Sequence, residues 1–255
     1  PQMATALTTA VVREATVRFV EGWRLEQMAD YLADNPTANI DASQFLAIAQ
    51  RQAAFDLSPY IFLADLPATA TLEGFLFPDT YRVPLDADAV YLVDLMLRTF
   101  DRRVTADMRQ GYQAQGLTIH QAVTLAAIVE REAVVASERP VIAGVFYNRL
   151  AQGMRLEADP TVQYPLGYQA ESDSWWKSPL WLVDLELDSP YNTYRYAGLP
   201  PGPIANPSLS SLEAVAFPAE TPFIFFVADC QAAVAGSHAF SVTYEEHLAN
   251  VQRCR

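Results

Sequence analysis

The residues best suited to chemistry are Glu130 and Glu132, in the run Ile128-Val-Glu-Arg-Glu132. Two residues apart on a helix they point roughly 200° apart, so at most one can face a cleft. Glu132 lies seven residues after Leu125, four after Ile128 and three after Val129, in phase with an apolar helix face. Val123, Ala126 and Ala127 give Glu130 a weaker case of the same kind. A carboxylate on an apolar face must be neutral, paired or held in a cleft. Desolvation raises its pKa, so it can act as a general acid near neutral pH. The plain structural alternative is a salt-bridged helix glutamate, which Arg131, Glu138 and Arg139 are near enough in sequence to supply.

The elements that must position these carboxylates follow from spacing and punctuation. Thr118 and Gln121 form a capping box that opens the helix carrying them. Ser137 is expected to cap a second helix that Gly153 ends, followed by a loop over 154–168 with a turn at Asp159-Pro160. Upstream, the pattern predicts a strand at 15–20, helices at 23–34 and 43–55, and one long amphipathic helix at 88–113. Residues 72–81 are aromatic-rich and fill core, leaving Glu73 and Asp79 as ambiguous carboxylates. Trp175 and Trp176 lie in a polar loop, where they either stack on sugar rings or pin the loop. Prolines 200, 201 and 203 exclude a helix from the 189–207 stretch. Asn206 and Pro207 read as N-cap and first-turn proline of the next helix. Residues 222–229 read as a buried strand paired with 237–241, and Thr243 with Glu246 caps a final helix.

Composition narrows the class. At 255 residues and 51% apolar, the chain can bury a sizeable core. A net charge of -13 with a single lysine, Lys177, argues against nucleic acid and against direct binding to an anionic membrane. No stretch approaches the ~20 apolar residues of a membrane span. The first residue is Pro1, not Met, so the chain is expected to be a piece of a longer one. Cys230 and Cys254 lack metal-ligand spacing and are expected to be incidental.

Several motifs in order resemble the YceG-like family, the bacterial endolytic murein transglycosylases. They are Leu72-Glu-Gly-Phe-Leu-Phe-Pro-Asp-Thr-Tyr81, Ile128-Val-Glu-Arg-Glu132, Phe146-Tyr-Asn-Arg-Leu150, Asp159-Pro-Thr-Val162, Ser189-Pro-Tyr-Asn-Thr-Tyr194, Gly198-Leu-Pro-Pro-Gly-Pro-Ile204 and Phe226-Val-Ala-Asp229. The stretch Val20-Glu-Gly-Trp23 resembles the segment that follows a LysM-like subdomain in that family. Where the family has Gly-Gly-His, Ser237 stands in place of the second glycine before His238.

The resemblance implies a lytic transglycosylase that cuts between N-acetylmuramic acid and N-acetylglucosamine, leaving a 1,6-anhydro end. It implies one Glu as acid then base, Glu132 with Glu130 as runner-up, and no metal or organic cofactor. It further implies substrate contacts from Asn148, Asp159, Thr161, Gln163, Tyr191, Asn192, Tyr194 and His238. For about half of these a satisfied structural hydrogen bond is expected instead. The implied partners are peptidoglycan strands and cell-wall synthases of the penicillin-binding type. The implied place is the extracytoplasmic side of the bacterial inner membrane, anchored by a single N-terminal helix outside this sequence.

The expected fold is mixed α+β. A helical catalytic domain with a small sheet spans 71–255, preceded by a smaller α/β lobe at 1–70. Two other readings compete. One is a non-catalytic peptidoglycan-binding or scaffold module. The other is a metallohydrolase using His120, His238 and His247, which no ligand spacing supports.

Overall fold

A computed structural model describes residues 13–35 and 38–254. The polypeptide is mixed α+β, with helices forming the bulk and two separate two-stranded sheets at the periphery. The first sheet pairs β1 (Glu14–Arg18) antiparallel with β2 (Thr80–Pro84), register Thr16 to Arg82. Inward-facing Ala15, Val17, Tyr81 and Val83 are buried and their neighbours on β1 are exposed, the period-2 alternation of a half-covered sheet. This pairing joins residues from either side of the expected division at 70/71. The buried apolar side chains of both stretches belong to one continuous core.

Helix α1 (Leu25–Asp34) and α2 (Ala42–Ala49) lead into that core, followed by α3 (Ala89–Arg103) and α4 (Ala106–Ala114). The single helix expected over 88–113 is thus two. Val104 leaves the helical conformation, and the Thr105 hydroxyl accepts from Met108 N at 3.3 Å as a new N-cap. The Thr in front of Ala-Asp was the available signal.

Helix α5 (Ile119–Glu132) is the centre of the molecule. Its capping box forms as expected, with Gln121 N donating to Thr118 Oγ1 at 3.2 Å and Thr118 N donating to Gln121 Oε1 at 3.0 Å. The amphipathic expectation was too narrow, because every residue from 122 to 129 is buried. Helices α6 (Arg139–Ala151), α7 (Pro160–Leu166) and α8 (Leu209–Ala216) all pack on α5, so it is wrapped on all sides. Close approach depends on small groups. A Cβ on Gly74, at φ +86°, would fall 2.6 Å from both Val123 Cγ1 and Pro203 Cβ.

Three further expectations are corrected. Ser137 does not cap α6; a 3₁₀ turn at Ala136–Glu138 runs directly into it, with Pro140 in its first turn. Residues 160–166, expected as loop, are the short helix α7, whose first residue is Pro160. Asn206 does not cap α8, whose N-cap is Ser208. The Asn206 amide instead accepts from Gly74 N and Leu76 N at 2.9 and 3.2 Å, and donates to Trp23 O and Glu73 Oε1 at 3.0 and 2.8 Å. One fully buried side chain thereby stitches three segments together.

The second sheet pairs β3 (Phe225–Ala228) with β4 (His238–Ser241), followed by α9 (Tyr244–Arg253) on its Thr243–Glu246 capping box. The strand expected to be buried over 222–229 is shorter and half-buried, because a two-stranded ribbon has no second layer on both faces. Cys230 and Cys254, expected to be incidental, are disulfide-bonded and tie the end of β3 to the end of α9. No helix among the described residues is long and apolar enough to cross a membrane.

Candidate active site

Glu130 and Glu132 both lie in the last turn of α5 but in opposite circumstances. Glu130 is 7% exposed and fully engaged. Its Oε1 pairs with Arg139 at 3.3 Å, and its Oε2 accepts from Ser208 N at 3.0 Å, from Ser208 Oγ, and from Ser211 Oγ at 2.6 Å. It therefore anchors the N-terminus of α8, where amide dipoles favour a negative charge.

Among the described residues, Glu132 has no hydrogen-bond or ion-pair partner. Protein encloses most of its side chain while the residue keeps some contact with solvent. Burial, and then the charge of Asp159, push its carboxyl up to about 8; Arg131 and Arg149 pull in the opposite direction and lose. Near neutral pH this group holds its proton.

Asp159 and Tyr194 stand with it. Asp159 occupies the N-cap position of α7 but does not cap it; its carboxylate accepts from Tyr194 Oη at 2.6 Å. Burial and Asp159 both push the Tyr194 phenol up, so it remains a donor. Arg149 was absent from the sequence-derived set, although it lies in the Phe-Tyr-Asn-Arg-Leu motif. It is buried on α6, donating to Ile224 O at 2.7 Å and Leu156 O at 2.8 Å, with its charge felt at Glu132.

The remaining sequence-derived residues are engaged elsewhere. Asn148 Nδ2 donates to Thr221 O and Phe223 O at 2.7 and 2.9 Å. Thr161 Oγ1 bridges Ala158 O and Thr193 Oγ1 at 2.6 and 2.8 Å, fully buried. Asn192 Nδ2 donates to Leu185 O and Leu187 O at 2.9 and 2.8 Å, while its Oδ1 accepts from Tyr194 N at 2.9 Å. Thr161 and Asn192 thus hold in place the chain segments that carry Asp159 and Tyr194. Gln163 Nε2 donates to Lys177 O at 2.8 Å. Tyr191 packs on Tyr164 at 4.9 Å, beside Glu73 rather than Glu132. His238 Nδ1 lies 2.8 Å from Glu138 Oε2, fixing β4 to the turn before α6. The three histidines sit apart, His120 on α5 stacked on Phe75 and His247 on α9 stacked on Phe225.

The ambiguous aromatic and acidic residues also find places. Trp175 Nε1 donates to Asp30 at 3.0 Å and Trp176 Nε1 to Gln27 at 3.2 Å, so both pin their loop to α1. Asp79 is paired with Arg103 at 2.9 Å. Glu73 is 2% exposed, accepting from Leu25 N, Asn206 Nδ2 and Tyr164 Oη. Burial and the nearby Glu26 raise it to about 8. The folded protein therefore keeps a proton on Glu73 that the unfolded chain releases at its ordinary value of 4.5. That contribution to stability is full below the ordinary value and is lost as pH rises toward about 8. Urea unfolding of the parent should show stability falling between those limits, and Glu73→Gln should remove part of that fall, Glu132 supplying the rest.

Comparison with known proteins agrees with this architecture. Residues 1–253 match the YceG-like family. The "Endolytic murein transglycosylase" of Bacillus subtilis (strain 168) is 33% identical over 257 residues, covering 96% of this chain and 66% of that protein. The protein of the same name from Streptococcus pneumoniae serotype 2 (strain D39 / NCTC 7466) is 32% identical over 248 residues, covering 93% of this chain and 44% of the relative. The chain thus spans just under two thirds of the Bacillus relative and less than half of the pneumococcal one. The crystal structure of a putative YceG-like protein from Listeria monocytogenes superimposes with a TM-score of 0.75 at 34% identity, covering 93% of this chain and 76% of that one. With the match running nearly end to end and the fold shared, the chain belongs to the YceG-like family.

Proposed function

We propose that this chain cleaves the β-1,4 bond between N-acetylmuramic acid and N-acetylglucosamine inside peptidoglycan strands, as an endolytic lytic transglycosylase. The observation that carries this is Glu132: enclosed, without a partner among the described residues, and protonated near neutral pH beside the Asp159–Tyr194 pair. Glu132 donates its proton to the glycosidic oxygen as the C1–O bond breaks. The C6 hydroxyl of the muramic sugar then attacks C1 and gives its proton to the Glu132 carboxylate. The 1,6-anhydro ring closes, no water is consumed, and the acid is restored. The nucleophile belongs to the substrate, so proximity lowers the barrier without a bound water. Arg131 and Arg149 favour the transient carboxylate and Asp159 opposes it, which keeps Glu132 able to work in both directions. The steps as written use no cofactor.

In this reading the product terminates a growing glycan, the partners are the synthases that make it, and the domain works outside the cytoplasm, held to the inner membrane by an N-terminal helix. The names of the Bacillus and Streptococcus relatives support the substrate class.

Digestion of purified peptidoglycan, with products identified by mass spectrometry, tests the reading. Internal cleavage to anhydro-ended chains, lost in Glu132→Gln, is the expected result. Hydrated reducing ends would overturn the anhydro step and make Asp159 the candidate second carboxylate, since Glu73 is sealed and Asp79 is held by Arg103. Binding without cleavage by the parent would point to the scaffold reading.

A further inference from the structure

Among the described residues, one arginine near Glu132 acts on it through its charge alone, and its hydrogen-bonding capacity is used by neither the fold nor the chemistry above. Arg131 is half-buried, and its guanidinium carbon lies 3.9 Å from the centre of the Trp176 ring. Its Nε is sealed from solvent with no hydrogen-bond partner. Among the described residues, its other two nitrogens have no hydrogen-bond or ion-pair partner either. The other arginines withdrawn from solvent are different. Arg24, Arg109, Arg139 and Arg149 each donate to oxygen atoms or pair with a carboxylate. Arg139, expected from sequence to pair with the acidic end of α5, does so through Glu130, and Arg131 does not.

A partly desolvated guanidinium without hydrogen-bond partners is costly to maintain, and burial draws its pKa down against the opposing charges of Glu130 and Glu132. The surroundings nevertheless hold it still. Trp176 is fixed by its Nε1 bond to Gln27 and by Ser174 Oγ, which accepts from Trp176 N at 3.0 Å. Gly22 leaves room beside it, since a Cβ there would meet Arg131 Nη1 at 3.4 Å. A stacked guanidinium keeps its in-plane N–H groups free, and that edge matches a planar carboxylate. The protein as a whole carries a charge of -13, so an acidic ligand is repelled unless a local cation receives it.

We propose that Arg131, stacked on Trp176, is an anion subsite beside Glu132 that takes a carboxylate carried by the muramic residue of the glycan. The proposal rests on the substrate class given above. The carboxylate has two sources: the lactyl acid of a bare muramic sugar, or an acid group of the peptide attached there. In either case the ion pair sets which sugar lies next to Glu132, so Arg131 determines register as well as affinity.

Binding measured without turnover tests this separately from catalysis. Glu132→Gln protein is titrated by calorimetry with three tetrasaccharides of alternating N-acetylglucosamine and N-acetylmuramic acid. One has free lactyl carboxylates, one has them capped as methylamides, and one bears peptides. At least one charged probe should bind about tenfold or more tighter than the capped one, as a charge-assisted pair requires. The tighter of the two identifies the source. Adding Arg131→Gln should abolish that difference while leaving affinity for the capped probe unchanged. Arg131→Lys, which keeps the charge but not the fork, should retain part of it. Thermal melts establish that the variants are folded, and Arg131→Lys decides the matter if Arg131→Gln is not. Equal affinity for charged and capped probes, no binding of any probe at millimolar concentration, or a difference that survives Arg131→Gln overturns the subsite. A charge preference that depends on Arg131, in a parent that makes no anhydro ends, leaves the subsite standing and removes the catalytic reading instead.

Discussion

Glu132→Gln lowers turnover on polymeric peptidoglycan by about 10³-fold, the scale of a lost general acid. Glutamine keeps the shape and loses the proton. Because Glu132 makes no hydrogen bond or ion pair among the described residues, no such contact goes with it, and the variant should melt no lower than the parent. The parent's pH profile carries the same signature. The acid form predominates below about 8 and is lost above it, so cleavage should fall roughly tenfold per pH unit on the alkaline side. Retained turnover in Glu132→Gln, or an alkaline limb that persists unchanged in its residual activity, would remove Glu132 from the acid role.

Glu130→Ala should do the reverse. It strands Arg139 beside a buried gap and strips the N-terminus of α8 of the carboxylate that Ser208 N, Ser208 Oγ and Ser211 Oγ share. Removing one partner of a buried pair costs about 3–5 kcal/mol, so the urea midpoint should drop sharply. Turnover per folded molecule should change only a few-fold. A stable but inactive Glu130→Ala would exchange the roles assigned to the two carboxylates.

Phase along the helix favoured Glu132 over Glu130 on the premise that α5 buries one face. In the folded chain residues 122–129 are buried on every side, so phase does not separate the two. Their partners do. Those partners come from residues 139, 208 and 211 for Glu130, and from none of the described residues for Glu132. No local pattern in the sequence announces which of two nearby glutamates will meet the start of a helix almost 80 residues later.

Features that depend on neighbours along the chain were legible in the amino-acid order. Capping boxes at Thr118 and Thr243 formed as read, because the groups that satisfy one another lie three residues apart. So did the β3–β4 hairpin and the helix end at Gly153, which adopts φ +68°. The mixed α+β class and the family followed from ordered motifs. Tertiary structure decided what depends on distant partners. It broke the helix at Val104, turned Asn206 from an expected cap into a buried clasp for Gly74 and Leu76, and joined Cys230 to Cys254. It also sorted the candidate cleft residues. Asn148, Thr161 and Asn192 have their hydrogen bonds satisfied by backbone and side-chain groups of the fold, while Asp159 and Tyr194 meet each other near Glu132. The physical reason is common to all of these cases. A polar side chain withdrawn from water must find a partner, and only the packed chain settles which groups are within about 3 Å of it and which are left for a ligand.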